Sequence, residues 1–167
     1  MPYRIVVVCL GNICRSPMAG VVLADRVARA GLDDRVEVTT AGTGDWHIGS
    51  PMDRRAAAVL AAAGLDPSEH RAQQFDQGWF DDFDLVLAMD TANRDDLAAL
   101  ATAADADPGR VRMFRDFDPL ADDGDREVPD PYYGNDDGFD IVMAMVQRTA
   151  DHLVAWLEGQ LLGSDRR

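Results

Sequence analysis

Residues 3–17 read YRIVVVCLGNICRSP, an apolar run followed by a short loop that contains a thiol, a glycine and an arginine. The segment from Ile5 to Val8 has the continuous apolar pattern of a strand buried on both faces of a parallel sheet. Ser16 followed by Pro17 has the pattern of a helix N-cap and a first helical residue. The chain is therefore predicted to pass from a buried strand, through a loop, into a helix.

This loop has the features of an anion site. Open α/β sheets bind ligands at the carboxyl ends of their strands, where Cys9 lies, and the amide groups of the following helix N-terminus favour both a dianion and a thiolate. Arg15 carries a planar charged fork that can grip two phosphate oxygens, and Ser16 can donate its hydroxyl to the thiolate. Gly11 permits close approach of a ligand, and Asn12 is predicted to adopt a left-handed conformation.

The spacing of Cys9 and Arg15 alone leaves two interpretations open, a chance occurrence and a phosphate pocket. A cysteine and an arginine six positions apart recur by chance in many chains. The preceding strand and the following helix favour a phosphate pocket with Cys9 as its nucleophile.

A second motif lies far along the chain, where residues 130–134 read DPYYG within the loop-rich segment 118–138. Cleavage of a phosphomonoester requires an acid that protonates the leaving oxygen, and Asp130 suits that role. Tyr132 and Tyr133 offer flat apolar surfaces to a phenyl ring. Alternatively, Asp-Pro begins a turn and the two tyrosines cap the core, and the motif alone does not separate these interpretations.

Taken together, the two motifs resemble those of the low-molecular-weight protein-tyrosine phosphatases. Residues 8–17 match the family pattern V-C-x-G-N-I-C-R-S-P without a departure, and D-P-Y-Y-G matches as well. Further family landmarks follow in the expected order: Thr39 to Thr43, Ser50 to Arg54, Glu69 to Arg71, and Ala88 to Asp90. The resemblance covers nearly the whole chain.

The resemblance implies a mechanism with a cysteinyl-phosphate intermediate and with neither a metal nor a cofactor. Cys9 attacks phosphorus, Arg15 binds the phosphoryl oxygens, and Asp130 protonates the leaving group and then activates water. The implied phosphate-binding residues are Leu10, Gly11, Asn12, Ile13, Cys14, Arg15 and Ser16. Those implied to support the loop are Asn12, Ser16, Thr40 and His70, although the family more often has serine at the position of Thr40. The implied substrates are phosphotyrosine proteins, with inorganic phosphate or vanadate as inhibitors.

Ile13, Trp46, Tyr132 and Tyr133 are the candidates for the substrate cleft. Related protein-arginine phosphatases usually have threonine at the position of Ile13, so an apolar residue there favours a phenyl ring over a phosphorylated guanidinium group. Trp46 is expected to form the wall opposite the tyrosines. The alternative for Trp46 is a core tryptophan under a glycine-rich loop.

Cys14 is the candidate redox partner of Cys9. Its thiol could capture an oxidised Cys9 as a disulfide and so protect the nucleophile from peroxide. The alternative is that Cys14 is a small buried side chain that fills space. Tyr132 or Tyr133 could also be phosphorylated, which the sequence does not decide.

Composition narrows the class of protein. The chain has 167 residues, which suits one domain, and its net charge of −14 argues against a nucleic-acid surface. It contains no lysine, which excludes a Walker-type phosphate loop and Schiff-base chemistry. Two cysteines in one motif cannot form a disulfide framework, so we expect a reducing compartment. No apolar run reaches about 18 residues and no signal-like segment opens the sequence, so we expect a cytoplasmic protein without membrane association. We also expect a monomer or weak dimer, and a preference for basic residues flanking the phosphotyrosine.

The alternation of strands and helices predicts a three-layer α/β sandwich with a four-stranded parallel sheet and helices on both faces. Strands are predicted over 4–8, 36–40, 85–89 and 111–114, and helices over 17–30, 53–63, 91–103 and 139–162. In the last helix, Ile141, Met145, Leu153 and Trp156 are predicted to face the sheet. Residues 163–167 are expected to fray.

Several other functions remain as alternatives. A protein-arginine phosphatase would use the same loop. An arsenate reductase would need a distal cysteine relay, and no cysteine follows Cys14. A metal-dependent aspartyl phosphatase is suggested by Asp116-Phe117-Asp118, but Leu120 stands where threonine or valine is usual. A phosphate-binding or redox-sensing module without catalysis would not need Asp130. The histidines at 47, 70 and 152 share no metal-ligand spacing.

Overall fold

Four parallel strands and four α-helices alternate along the chain, in a computed structural model that describes residues 1–135 and 137–165. The strands are β1 (Tyr3–Cys9), β2 (Val36–Gly42), β3 (Leu85–Ala88) and β4 (Val111–Met113). The helices are α1 (Arg15–Arg29), α2 (Arg54–Ala62), α3 (Thr91–Ala103) and α4 (Asp137–Asp165). Short 3-10 turns occupy Gln77–Asp81, Pro108–Arg110 and Phe114–Phe117.

The sheet has the strand order β2-β1-β3-β4, and every pairing is parallel, as predicted. Strand β1 is central, and Val8 lies opposite both Ala41 of β2 and Ala88 of β3. The chain leaves β1 toward β2 and later returns to the other side of β1. The carboxyl end of β1 is therefore the point where the strand order reverses, which is the usual ligand position in such sheets.

The alternating side chains of β1 divide the core into two layers, because successive residues of a strand point to opposite faces. Ile5 and Val7 pack into one layer with residues of α1, α2 and α4. Val6 and Val8 pack into the other layer with residues of α3 and the segment 75–83. Helices therefore cover both faces, which confirms the predicted three-layer sandwich.

The start of α1 differs from the prediction. The helix begins at Arg15, and the residue at the N-cap position is Cys14, which makes no capping hydrogen bond with its side chain. Ser16 lies inside the helix, and its hydroxyl contacts Cys9 and Asn12 instead. The sequence pattern for a cap is misleading because this hydroxyl serves the loop rather than the helix end.

The buried face of α4 also differs from the prediction. Ile141 is 52% exposed and Met145 is only half-buried, although Leu153 is buried as predicted. Each residue advances a helix by about 100°, so residues spaced three or four apart share one face. When the face that contains Leu153 is buried, Ile141 points toward solvent. The buried residues of this face are Phe139, Val142, Met143, Val146, Ala150, Leu153, Val154 and Leu157.

Both ends of α4 extend past the predicted bounds. The helix begins at Asp137 and continues through Asp165, into the segment that the sequence predicts to fray. Residues 166 and 167 lie outside the described residues. Trp156, predicted to face the sheet, is partly buried at the edge of the core, with its ring 5.2 Å from that of Phe117 and 6.5 Å from that of Tyr3.

Candidate active site

The segment that follows β1 folds back on itself and brings its cysteine and serine together. Cys9 is 3% exposed, and its Sγ lies 3.0 Å from the Ser16 Oγ. The reversal occurs at Asn12, whose φ of 57° confirms the predicted left-handed conformation. Gly42 makes this fold possible, because a Cβ there would lie 2.7 Å from the Leu10 carbonyl oxygen.

Several loop carbonyls are turned away from the centre of the loop. They accept hydrogen bonds as follows: Cys9 from Thr43 N at 2.9 Å, Leu10 from Gly44 N at 2.9 Å, Asn12 from His70 Nε2 at 2.7 Å, and Ile13 from Asp53 N at 2.9 Å. In a trans peptide unit, the next N–H points opposite to the carbonyl. The amide groups of Leu10, Gly11, Ile13 and Cys14 therefore point into the loop, where they can bind an anion.

Asn12 is the centre of the loop's support. It is fully buried, and its Nδ2 donates to Ser16 Oγ at 2.8 Å and to Thr40 Oγ1 at 3.0 Å. Its Oδ1 accepts from Gln73 N at 3.0 Å. The structure thus brings together the loop-support residues that the resemblance implies, and adds Gln73, which contributes through its backbone and leaves no signal in the sequence.

His70 supports the loop from outside. Burial lowers the pKa of His70, and the nearby Arg71 also lowers it, while the hydrogen bond with the Asn12 carbonyl acts in the opposite direction. The net lowering favours a neutral imidazole at neutral pH. Its Nε2–H can then donate to the Asn12 carbonyl, which fixes the tautomer.

Arg15 is held in place behind the loop. Its side chain is 3% exposed, and its Nη1 donates to Asp90 Oδ2 at 2.6 Å and to the Val128 carbonyl at 3.1 Å. Its Nη2 lies 3.7 Å from Asp130 Oδ2. Burial acts to lower the pKa of Arg15, but the neighbouring Cys9 and Asp90 outweigh it and raise the pKa. The guanidinium group is therefore a fixed positive charge beside the thiol.

Asp90 was named from the sequence only as part of a family landmark, with no role, and the structure shows that it contacts the cavity-lining Arg15. It follows the end of β3 and caps α3, with its Oδ1 accepting from Asn93 N at 2.8 Å, while its Oδ2 binds Arg15. A polar residue between a buried strand and a helix was the available signal. The carboxyl ends of adjacent parallel strands meet at one edge, so this position was a candidate for the site.

The DPYYG motif reaches the same site from the other side. Asp130 has a side chain that is 39% exposed, and its Oδ1 accepts from Tyr132 N at 3.1 Å, which is the turn expected of Asp-Pro. Tyr132 is 37% exposed and Tyr133 is 91% exposed, with ring centroids 4.8 Å apart. The tyrosines therefore do not cap the core, and the alternative interpretation is wrong in that respect.

These elements enclose a cavity of about 410 Å³. Its lining is Cys9, Leu10, Gly11, Ile13, Cys14, Arg15, Trp46, His47, Asp130, Tyr132 and Tyr133. Asn12 and Ser16, which were also predicted to bind phosphate, belong to the loop but not to the cavity lining, and the predicted supports Thr40 and His70 lie outside the lining as well.

Trp46 and His47 also line the cavity. Trp46 is 69% exposed, so it is not the core tryptophan of the alternative interpretation. Its ring lies directly on Gly44, where a Cβ would overlap the indole. His47 was not predicted to line the site, and its ring packs against Gly11.

Cys14 lies in the same lining and is 5% exposed. Burial raises the pKa of the Cys14 thiol to about 12, and the charges of Asp53, Cys9 and Asp130 add to this effect. Both cysteines are free. The redox role of Cys14 stays a prediction, because a thiol with this pKa is a weak nucleophile until its surroundings change.

The aspartates of the rival aspartyl phosphatase motif lie elsewhere. Asp118 is bound by Arg115 and Arg148, and Asp116 pairs with Arg126. Neither aspartate lines the cavity. Among residues 1–135 and 137–165, no group of three or more histidine, cysteine, aspartate or glutamate side chains has the arrangement of a metal site. In the same part of the chain, no helix has the length and apolar character needed to cross a bilayer.

Comparison with known proteins agrees with this geometry. Residues 4–162 match the family model for low molecular weight phosphotyrosine protein phosphatases. The "Low molecular weight protein-tyrosine-phosphatase" of Streptomyces coelicolor is 46% identical over 98% of both chains. The "Low molecular weight protein-tyrosine phosphatase A" of Mycobacterium tuberculosis is 41% identical over 96% of this chain and 94% of its own. The crystal structure of YfkJ from Bacillus subtilis superposes with a TM-score of 0.87 at 32% identity, covering 96% of this chain and 97% of YfkJ.

Proposed function

The chain belongs to the low molecular weight phosphotyrosine protein phosphatase family, and from this membership and the cavity we propose that it hydrolyses phosphotyrosine in proteins. The single observation that carries the proposal is the convergence of Cys9, Arg15 and Asp130 on one cavity. A nucleophile, a phosphate-binding cation and an acid are the groups that this reaction needs.

In the first step, the Cys9 thiolate attacks phosphorus and the bond between phosphorus and the tyrosyl oxygen breaks. Arg15 and the inward-facing loop amides bind the phosphoryl oxygens, where charge is held in the transition state. Asp130 gives its proton to the phenolic oxygen as the electron pair moves there. The products are tyrosine and a phosphoryl group on sulfur.

In the second step, water attacks the phosphoryl group and the Cys9 thiolate leaves. Asp130, now a carboxylate, accepts the proton from water. The Ser16 hydroxyl, 3.0 Å from the sulfur, donates to the departing thiolate and lowers the barrier to its release. Asp90 and the Val128 carbonyl keep Arg15 in position through both steps.

The walls of the cavity suit a phenyl ring. Trp46, Tyr132 and Tyr133 contribute aromatic side chains to the lining, and Ile13 of the phosphate loop contributes an apolar one. The Ile13 side chain offers no hydrogen-bond partner to a phosphorylated guanidinium group at that position. We therefore place phosphotyrosine ahead of phosphoarginine as the substrate. The net charge of −14 supports a preference for phosphopeptides with basic flanks.

The setting of the reaction forms part of the proposal. The nucleophile must stay reduced, and both cysteines are free, which supports action in the reducing cytoplasm. A monomer or a weak dimer is the proposed active form, because a single chain already supplies the nucleophile, the cation and the acid. Inorganic phosphate and vanadate, which have the same charge and shape requirements as the phosphoryl group, are the expected inhibitors.

Phosphate release from phosphotyrosine and phosphoarginine peptides in EDTA tests the proposal. We expect release from the phosphotyrosine peptide by the unmodified protein and none by Cys9→Ser. Arg29→Gln serves as the matched control, since the Arg29 side chain is 67% exposed, and it should keep full activity. Release mainly from the phosphoarginine peptide would contradict the substrate assignment, and release by Cys9→Ser would contradict the mechanism.

A further inference from the structure

Arg115 is a buried arginine that lies outside the cavity lining. It is 2% exposed and belongs to the short turn Phe114–Phe117 that follows β4. Its Nε donates to Asp118 Oδ2 at 2.8 Å, and its Nη1 donates to Asp125 Oδ1 at 2.7 Å. A buried charge is tolerated only when its donors are paired, so the orientation of this guanidinium group is strongly determined.

Asp118 fixes Arg115 to the last helix. It also accepts from Arg148 of α4, at 2.7 Å from Nε and 2.9 Å from Nη2. Burial acts to raise the pKa of Asp118, but the hydrogen bonds from Arg148, Leu120 N and Arg115 outweigh it and lower the pKa. Asp118 thus stays ionised at all ordinary pH values, and it anchors Arg115 independently of pH.

The Nη1 of Arg115 also donates to the Glu127 carbonyl, at 2.9 Å. Arg115, Asp118, Asp125 and Arg148 form an ion-pair cluster. The contact with Glu127 joins this cluster to the segment that carries Asp130. The Glu127 carboxylate accepts from Thr91 N at 3.1 Å, and Val128 N donates to the Met89 carbonyl at 2.7 Å. Residues 127–128 are therefore fixed against the end of β3.

Asp130 lies two residues after Val128 and three after Glu127. The intervening Pro129 has a restricted φ, so a displacement of the Glu127 peptide is transmitted along the chain to Asp130. Val128 is fully buried and its carbonyl accepts from Arg15, so the same two residues face the cluster on one side and the phosphate-binding arginine on the other.

We propose that Arg115 is a positioning residue for Asp130, holding the Glu127 carbonyl so that the carboxyl group reaches the leaving oxygen. This inference rests on the proposed function. Arg115 does not line the cavity, and Arg15 keeps its ion pair with Asp90 when residues 127–128 shift, so the larger effect of Arg115 falls on proton transfer to the leaving group. Asp118 and Arg148 contribute by fixing Arg115.

Substrates with different leaving groups provide the test, because a good leaving group does not need the acid. The measurement is kcat/KM for phenyl phosphate and for 2,4-dinitrophenyl phosphate, in Arg115→Met and Arg115→Lys. Misplacing the acid by a fraction of an ångström should lower the phenyl phosphate value about 10-fold more than the dinitrophenyl phosphate value. Arg115→Lys keeps the charge beside Asp118 and should show a smaller selective loss.

Arg126→Met is the matched control. Arg126 directly precedes the anchored segment, but its side chain bonds to Asp116 and Asp123, which lie outside that segment. It should leave both substrates unchanged. Should Arg115→Met fail to fold, Arg115→Lys decides the question, since it leaves Asp118 with a cation on either side.

The positioning role would be overturned if kcat/KM fell equally for the two substrates. It would also be overturned if kcat/KM were unchanged in both single variants, Arg115→Met and Arg115→Lys. An alkaline limb of the pH profile that changes in Arg115→Met as it does in Asp130→Asn would support it, because activity that needs a protonated acid is lost as the pH rises. Failure of the proposed function has a different signature, because hydrolysis of both substrates would then persist in Cys9→Ser.

Discussion

The phosphate loop, residues 9–16, and the acid segment, residues 127–134, line the same cavity but are held in different ways. Asn12 and Ser16 of the loop are fully buried and bond to each other, and Cys9 bonds to Ser16. In the acid segment, Asp130 is 39% exposed and Tyr133 is 91% exposed. Hydrogen bonds with Arg115 and Met89, which are distant in sequence, hold this segment at Glu127 and Val128. The anion-binding half of the site is thus buried together with its supports, whereas the reactive end of the proton-transfer half is exposed and is held by contacts at residues 127 and 128.

Arg15→Lys should have the largest effect on activity, because Arg15 supplies the positive charge of the phosphate loop. The single ammonium group cannot bind the phosphoryl oxygens while it also satisfies Asp90 and the Val128 carbonyl. We expect kcat/KM for phosphotyrosine peptides to fall about 10³-fold, as for the loss of other transition-state donors. Steady-state kinetics at saturating and limiting substrate measure it. A loss smaller than about tenfold would show that charge alone suffices.

Asp130→Asn changes the acid segment and should lower activity nearly as much, but only for substrates with a poor leaving group. Loss of the acid should lower kcat/KM for phenyl phosphate by about 10²- to 10³-fold and spare 2,4-dinitrophenyl phosphate. Because the Asp130 side chain is partly exposed, the free energy of unfolding should change by less than about 0.5 kcal/mol. Equal losses for both substrates would contradict its role as the acid.

Asn12→Ala and Tyr133→Ala sharpen the contrast in stability. Asn12→Ala leaves Ser16 Oγ, Thr40 Oγ1 and Gln73 N without this hydrogen-bond partner, and it places alanine at a φ of 57°. We expect a loss of about 2–4 kcal/mol in the free energy of unfolding, measured with urea. Tyr133→Ala should cost less than about 0.5 kcal/mol, since its ring is exposed. Similar values for the two variants would remove the distinction between the regions.

His70→Gln should have the smallest effect, and it depends on pH. Burial lowers the pKa of His70 below its unfolded value of 6.5, so the unfolded chain binds the extra proton first as pH falls. The stabilisation from His70 is complete above pH 6.5 and decreases below it. The free energy lost in His70→Gln, measured by urea unfolding, should thus be smaller at pH 5 than at pH 8. A loss that is equal or larger at pH 5 would contradict the buried, neutral imidazole.

The same contrast explains what the sequence could predict. The central strand, the left-handed Asn12 and the pairing of Cys9 with Ser16 follow from local patterns and from the motif. The sequence misplaces Ile141 because several apolar residues of α4 compete for the buried face, and packing against α1 and the sheet decides between them.

Other parts of the site depend on contacts that no local pattern encodes. Arg15 meets Asp90 across 75 residues, and Arg115 reaches Glu127 through a backbone carbonyl. An ordinary carbonyl carries no side-chain signature. Sequence reasoning could therefore propose Asp130 as the acid, but it could not identify the residues that contact its segment.

The most direct test of the central claim is to trap the phosphorylated enzyme. The protein is mixed with a phosphotyrosine peptide in EDTA, quenched within milliseconds in alkaline denaturant, digested, and examined by mass spectrometry. We expect one phosphoryl group on the peptide that contains Cys9, and none in Cys9→Ser. The absence of a phosphoryl group on Cys9, with continued phosphate release by Cys9→Ser, would contradict the proposed mechanism.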